Sequence, residues 1–229
     1  MINNNLNIVG IIPARGGSKR IPRKNLKILK NKPLIAHTIQ EAKRSKLLTS
    51  FYVSTEDENI SKVSKSFGAN VIKRPKLFAK DKTQGYVPIL HAINFLENKN
   101  NESVDIVVTL APTSPLRKAQ DIDNAISEFL KNKCETLVSV TNSCFPPEFM
   151  YRTKNKKLIP ILNTKLKSKR TQDMPKTYQI NGAVYVTEKK FLLRHNSLLS
   201  KNPCFYIMPF ERSIDIDSIY DFEFCKLFI

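Results

Sequence analysis

Residues 6–12, LNIVGII, form an apolar run that Pro13 closes. A strand exposed on one face alternates apolar with polar residues. A run with almost no alternation fits a strand covered on both faces, as in a parallel sheet flanked by helices. The chain beyond Pro13 keeps to such an architecture. Residues 33–46 carry apolar side chains at helical spacing, 51–55 (FYVST) read as a strand, 56–68 as a helix closed by Gly68, and 70–73 (NVIK) as a third strand. Residues 86–97 then read as helix, 104–110 (VDIVVTL) as strand, 121–131 as helix and 136–140 (TLVSV) as strand. Strands and helices alternating at this spacing imply right-handed crossovers and an α/β fold with a mostly parallel sheet.

The rhythm breaks at 143–176, a stretch rich in Pro, aromatic residues and Lys, too long and too apolar for a turn. It reads either as a basic surface flap or, preferably, as a lid or subunit contact. Residues 180–187 (INGAVYVT) resume strand character, and 213–229 predict a short alternating strand followed by a C-terminal helix. With 229 residues, 41% of them hydrophobic, the chain has enough material for one domain, 1–229, with 143–176 as its excursion.

Several function classes recede on composition. No stretch approaches the roughly 20 apolar residues that cross a bilayer, and the first residues lack a basic segment leading an apolar core, so a cytoplasmic protein with no membrane partner is expected. Cys134, Cys144, Cys204 and Cys225 are widely spaced without a CxxC pair and are expected as free thiols. His37, His91 and His195 stand in no zinc spacing; the first two fit packing or surface roles. The net charge of +18 invites a nucleic-acid reading, but the lysines are dispersed, and zinc-finger and RNP signatures are missing. Small anionic substrates explain the charge better.

The positive charge is densest in 11–25, IIPARGGSKRIPRKN, directly behind the first strand. Open α/β sheets bind ligands at the carboxyl ends of their strands. Gly16 and Gly17 can adopt positive φ and let backbone N–H groups approach an anion, with Arg15, Lys19 and Lys24 adding charge-assisted contacts. The segment reads as a polyphosphate cradle. It lacks both the Walker A spacing with its final hydroxyl residue and the GxGxxG fingerprint.

The segments IIPARGGSKRIPRKNL (11–26), LAPTSPLR (110–117), INGAVYV (180–186) and SIDIDS (213–218) together resemble the CMP-sialic acid synthetases, the acylneuraminate cytidylyltransferases, in order and across nearly the whole chain. The resemblance implies a Rossmann-like α/β nucleotidyltransferase of the nucleotide-diphospho-sugar transferase type. Such an enzyme joins CTP to a nine-carbon (nonulosonic) keto sugar acid, giving the CMP-sugar and pyrophosphate with Mg²⁺. It implies nucleotide contacts from Arg15, Ser18 and Lys24 at the phosphates and from Asn25 near the cytosine, beside Gly16, Gly17 and Lys19, which the loop's own composition puts forward as nucleotide-binding. Arg74, Asp81 and Thr83 would frame base and ribose. The excursion matches the region through which family members pair, so a homodimer is expected.

Asp215 and Asp217 stand two apart, which in a strand puts both carboxylates on one side while Ile214 and Ile216 face the core. They are either a polar surface face or a magnesium pair, and the phosphate loop and the resemblance favour the metal. The implied reaction is in-line attack of the sugar's anomeric hydroxyl on the α-phosphate. Arg15 and Lys24 would stabilise the transferring and departing phosphates, and Asp217 is a candidate base acting through water.

For the sugar, Thr113 and Ser114 either present hydroxyls or bond their own turn. Arg170 is either a carboxylate clamp or a flap charge. Gln179 and Asn181 belong to the acceptor region, where Asn181 and Gly182 either bind the sugar or shape a tight backbone approach. The chain departs from the family where Ala111 replaces a sugar-contacting Gln, where Gln179 and Phe149 replace basic residues, and where Thr171 replaces an Arg. These changes bear on sugar identity, leaving sialic, legionaminic and pseudaminic acids and the eight-carbon KDO open. Outside this reading stand another sugar nucleotidyltransferase and a non-enzymatic basic protein that binds nucleic acid.

Overall fold

The computed structural model describes residues 6–99, 101–162, 170 and 174–229. The part of the 143–176 excursion at 163–169 and 171–173, including Thr171, lies outside the described residues.

The first strand, β1 (Ile8–Pro13), leads through the glycine loop and a two-residue hairpin, β2 (Ile28–Leu29) and β3 (Lys32–Pro33), into α1 (Leu34–Arg44). Next come β4 (Ser50–Thr55), α2 (Glu58–Ser66), β5 (Asn70–Lys73), α3 (Val87–Lys99), β6 (Ile106–Leu110), α4 (Ala119–Lys131) and β7 (Thr136–Asn142). A hairpin, β8 (Tyr151–Lys154) with β9 (Lys157–Pro160), occupies the excursion. The chain ends with β10 (Tyr178–Glu188), α5 (Lys189–His195), β11 (Cys204–Ile207) and α6 (Ile219–Cys225).

Seven strands form one sheet in the order β11-β7-β10-β6-β1-β4-β5. β1 pairs parallel with β4 and β6, β4 with β5, and β7 with β11, whereas β10 runs antiparallel between β6 and β7. The mostly parallel expectation therefore holds. As the apolar run at 6–12 suggests, β1 is covered twice. Ile8 and Ile12 pack with α1, α2 and α4 residues such as Ile39, Ile60 and Ile122, while Val9 and Ile11 pack on the other face with Ile89 and Ile93 of α3. Each such side chain contributes roughly 1.5–3 kcal/mol by leaving water.

A third apolar cluster matters most for function: Ile21 of the glycine loop, Leu29, Leu34, Leu116, Ile216 and Phe222 pack together. It ties the loop after β1, the turn after β6 and the C-terminal segment into one body. Asp57 caps α2, accepting from the backbone N–H groups of Asn59 and Ile60, and Gly68 takes φ 85° where that helix ends.

Two expectations are corrected. Residues 213–217 form no strand; this stretch is held to the turn after β6 by the Ile216 N–H donating to the Thr113 carbonyl at 2.9 Å. Its apolar-polar alternation nevertheless buries Ile216 completely. The cysteines are not all free: Cys134 and Cys204 form a disulfide with Cα atoms 6.2 Å apart, while Cys144 and Cys225 are thiols. The bonded pair stands 70 residues apart and becomes adjacent only because β11 lies beside β7, which spacing does not reveal. His37 is buried, with its Nε2 3.1 Å from the Leu29 carbonyl, and burial pushes its pKa down to about 4.

Candidate active site

At the carboxyl ends of the parallel strands the loops after β1, β4, β5 and β6 converge, and the segment after β11 joins them. In the loop after β1 neither Gly16 nor Gly17 has positive φ, and the left-handed residue is Arg23, at φ 52°, just before a 3₁₀ turn over Lys24–Leu26. Glycine is required at 16 for another reason. A Cβ there would lie 2.4 Å from Asp57 Oδ2, whereas at Gly17 it would meet nothing within 4 Å. The Gly16 N–H is already engaged, donating to Glu56 Oε1 at 2.8 Å.

The loop cations face acids drawn from two directions. Arg15 reaches Asp81 Oδ1 at 2.8 Å and Lys19 reaches Asp81 Oδ2 at 2.5 Å, which together hold the Asp81 carboxyl below its usual range, Lys19 first. Arg20 pairs with Asp217 at 2.8 Å. Lys24, nearly buried, donates to the Ile216 carbonyl at 2.5 Å and stands 3.8 Å from Asp217 Oδ1. Burial lowers the Lys24 pKa, and the charges of Asp217 and Asp215 oppose that shift. The glycine loop and the aspartate segment, some two hundred residues apart in sequence, thus touch through Arg20 and Lys24.

A cavity of about 370 Å³ opens beside this junction. Its wall brings together Arg15, Ser18, Lys24, Asn25, Arg74, Asp81, Thr83 and Thr113 from the expected set, with Phe78, Gln84, Pro88 and Ala111. Asn25 Nδ2 donates to the Arg15 carbonyl at 3.0 Å, which fixes the amide's orientation and leaves its buried Oδ1 without a partner among the described residues. Gly16, Gly17 and Lys19 stand at the loop's outer side; both glycines border a separate surface recess with Glu56 and Lys73.

A second cavity of about 470 Å³ is lined by Gln179 and Asn181 of the residues expected on the sugar side, with Tyr185, Phe210, Ser213 and Asp215 among others. Desolvation raises the Asp215 pKa and the like charge of Asp217 adds to it, while the Thr113 hydroxyl and Lys24 pull the other way. Desolvation and the Asp215 charge likewise raise the Tyr185 phenol.

Other sugar-side expectations fare differently. Ser114 is fully buried and lines neither cavity, its N–H closing the turn onto the Ala111 carbonyl at 3.3 Å. Asn181 borders the second cavity, but its amide is consumed inside the protein: Oδ1 accepts from Ser139 Oγ at 2.6 Å and the Ala183 N–H at 3.1 Å, and Nδ2 donates to Ser213 Oγ at 2.9 Å. It therefore anchors the segment leading to Asp215, and Gly182, at φ 72°, supplies the bend beside it. Arg170 is exposed and lines neither cavity.

Two residues had no role assigned from sequence. Glu56 receives two N–H groups of Arg74, at 3.1 and 2.8 Å, besides that of Gly16. Arg117, fully buried, donates to the carbonyls of Ala111 and Ala183, and burial lowers its pKa to about 10. Arg117 closes the LAPTSPLR segment, and its position after a Pro-rich turn was the available signal. Glu56 lies directly beyond a buried strand, where an acid also reads as the start of a helix.

Among the described residues no three His, Cys, Asp or Glu side chains gather into a metal cage. Magnesium, however, is commonly held by one or two carboxylates completed by substrate phosphates and water. Asp215, kept above its usual range by burial beside the like charge of Asp217, has the electrostatic deficit that a divalent cation relieves, so the pair fits one.

The chain is similar to known proteins in fold and in sequence. The solved structure of a CMP:2-keto-3-deoxy-manno-octonic acid synthetase complexed with CTP superposes with TM-score 0.72 at 15% identity, covering 96% of this chain and 97% of that one. A 4-diphosphocytidyl-2C-methyl-D-erythritol synthase structure gives TM-score 0.70 at 12% identity, covering 98% of this chain and 99% of that chain. Both show the shared fold. The pseudaminic acid cytidylyltransferase of Campylobacter jejuni strain 81-176 is 31% identical over 218 residues, 95% of this chain and 94% of that protein. The CMP-N,N'-diacetyllegionaminic acid synthase of Legionella pneumophila is 31% identical over 226 residues, 94% of this chain and 93% of its own length. The N-acylneuraminate cytidylyltransferase of Escherichia coli O18:K1:H7 is 31% identical over 94% of this chain and 50% of the longer protein. No helix among the described residues is long and apolar enough to cross a membrane. Residues 9–219 match the cytidylyltransferase family, and the chain belongs to that family as a nucleotidyltransferase enzyme.

Proposed function

We propose that this enzyme transfers CMP from CTP to the anomeric hydroxyl of a nonulosonic keto sugar acid, releasing pyrophosphate. The observation that carries this reading is the meeting of Lys24, which lines the first cavity, with Ile216 and Asp217, which supports loop cations and paired carboxylates acting on one ligand. Arg15, Ser18, Lys19 and Lys24 are assigned to the phosphates. Arg74 and Thr83 line the base and ribose end. The unpartnered Oδ1 of Asn25 suits a donor such as the exocyclic amine of cytosine.

Magnesium on Asp215 and Asp217 would supply charge neutralisation at the α-phosphate and activation of the attacking hydroxyl. Lys24 and Arg15 stabilise charge on the transferring and departing phosphates, and most of the rate comes from such positioning. Asp217 is assigned as the acceptor of the hydroxyl proton through water. The sugar sits between Thr113 and the second cavity, with Gln179 and Tyr185 at its edge.

The named relatives act on pseudaminic, legionaminic and acylneuraminic acids, which supports a nonulosonic acceptor. KDO is the second reading, favoured by the fold neighbour and by Ala111 standing on the cavity wall where an amide would read the sugar. A pyrophosphate-release matrix of four nucleotides against several nonulosonic acids and KDO, with magnesium, tests both. Turnover is expected only with CTP and a nonulosonic acid; turnover with KDO alone, or with a sugar 1-phosphate, overturns the reading.

A homodimer in the cytoplasm completes the proposal. Its support is an apolar face on one edge of the sheet: Tyr178 stacks on Phe205 at 5.8 Å, Ile180 and Ile207 are exposed beside them, and the hairpin exposes Leu158 and Ile159. Light scattering that returns a monomer mass at micromolar protein would remove it.

A further inference from the structure

The cavity wall and the glycine loop are joined by a side chain that neither lines the cavity nor stands in the loop. Glu56 follows β4 directly, and its carboxylate is nearly buried. Oε1 accepts the Gly16 N–H at 2.8 Å; Oε2 accepts Arg74 Nε at 3.1 Å and Arg74 NH2 at 2.8 Å. One carboxylate thereby serves two clients with its two oxygens.

The backbone prepares this arrangement. Ala14 N–H donates to the Ser54 carbonyl and Arg74 N–H to the Thr55 carbonyl, each at 3.0 Å, so both clients already hang from the end of β4. The Arg74 side chain is almost wholly buried, and Glu56 is the acid with which it pairs among the described residues. With Nε and NH2 engaged, its third nitrogen, NH1, has no hydrogen-bond partner among the described residues, and Arg74 lines the cavity. A charge-assisted, two-nitrogen grip fixes the guanidinium plane as well as its position.

We infer that Glu56 is a positioning residue that locks the glycine loop and Arg74 into a single rigid nucleotide cradle. It touches no substrate; it sets the loop that meets the phosphates and the arginine that meets the nucleoside, so that CTP binds a preformed site at little ordering cost. This inference rests on the proposed binding of CTP and adds the residue that couples the two ends of that nucleotide.

The test measures dissociation constants of CTP and of pyrophosphate by calorimetry, with KM and kcat, on the full chain and on Glu56→Ala and Glu56→Gln, melting temperatures being recorded for each. Glu56→Ala is expected to weaken CTP about tenfold or more, the worth of losing charge-assisted bonds, and pyrophosphate about threefold, with kcat at saturating CTP within about threefold. Glutamine has one acceptor oxygen, so Glu56→Gln recovers one client: either pyrophosphate affinity or the extra affinity that the nucleoside adds, and not both. A residue that only stabilised the fold would lower the melting temperature without producing this split.

If Glu56→Ala fails to fold, the split in Glu56→Gln decides alone. Affinities within twofold of the parent for both ligands, full recovery of both by glutamine, or a loss confined to kcat would each overturn the inference. Direct CTP binding separates this from the proposed activity: parent protein that binds CTP but turns over no sugar acid counts against the acceptor assignment and leaves the role of Glu56 measurable.

Discussion

The loop after β1 lines the first cavity and the segment after β11 the second, and although the two meet at Lys24 they are held largely by different forces. Residues 14–27 carry cations whose directions are set by hydrogen bonds and ion pairs: Gly16 on Glu56, Arg15 and Lys19 on Asp81, and Asn25 on the Arg15 carbonyl. Residues 213–217 carry carboxylates, and they are held from beneath by apolar burial of Ile216, a backbone bond to Thr113 and the Asn181–Ser213 contact, with Arg20 and Lys24 of the loop reaching Asp217 and the Ile216 carbonyl from the other side. The cation side is therefore organised by internal anions that stand near where phosphates are proposed to lie, while the backbone of the carboxylate side is organised mainly from beneath and, of its two charges, Asp217 is paired with Arg20. Changes on the first side should be read mainly in binding, changes on the second mainly in turnover.

Lys24 belongs to both regions, so its loss should break the comparison most severely. Lys24→Met is expected to lower kcat/KM for CTP about 10²–10³-fold, with both kcat and KM moving, in a pyrophosphate-release assay. Asp217→Asn should lower kcat about 10²-fold at saturating magnesium and leave CTP affinity within a few-fold. Wild-type turnover in that variant would remove both the metal and the proton role of the residue.

The sheet edge behind the carboxylate segment should respond in stability instead of turnover. Reducing the Cys134–Cys204 bond, or Cys204→Ser, frees a crosslink spanning 70 residues and should lower the melting temperature by about 5–10 °C with little change in kcat at 25 °C. A melting curve indifferent to reductant would show that the edge strand does not depend on the bond.

Asp81→Asn sharpens the comparison in the opposite direction. Asp81 occupies Arg15 and Lys19 with a carboxylate, and neutralising it should tighten pyrophosphate about two- to threefold at low salt, a modest effect because the pair is open to solvent. Weaker pyrophosphate binding would mean that Asp81 orders the loop instead of competing with phosphate.

The smallest effect is in stability. Burial raises the Asp215 carboxyl above its unfolded value. Between those two pKa values the folded chain binds more protons than the unfolded one, so stability falls as pH rises and the deficit persists at neutral pH. Asp215→Asn should therefore raise the melting temperature at pH 7 by about 1–2 °C and not at pH 3, while turnover is lost. A lower melting temperature at pH 7 would contradict this sign.

Much of the first region is legible in the sequence because its signals are local. The run at 6–12 marks a doubly covered strand, and the NVIK strand falls on Asn70–Lys73 as expected. The clustering of Arg15, Lys24 and Asn25 around a cavity follows from their placement just past β1. Features set by tertiary contacts are hidden. Gly16 is glycine because Asp57 crowds it, not because of its φ, and sequence offers no view of that neighbour. The 213–217 alternation reads as a strand, yet the chain there makes one cross-bond instead of a ladder, while the inward-facing Ile216 obeys the pattern all the same. Asn181 looks like a ligand residue because a polar side chain beside a site does; its three internal hydrogen bonds emerge only once β7, β10 and the segment after β11 are side by side. The Cys134–Cys204 bond is hidden for the same reason.

Whether loop and carboxylates close on a single nucleotide is tested most directly by a crystal structure with CTP and magnesium. Cytosine is predicted beside Asn25 and Arg74, with a triphosphate that has displaced Asp81 from Arg15 and Lys19 and an α-phosphate between Lys24 and the Asp215–Asp217 pair. Nucleotide bound elsewhere, with the Asp81 ion pairs intact and the two aspartates facing solvent, would contradict it.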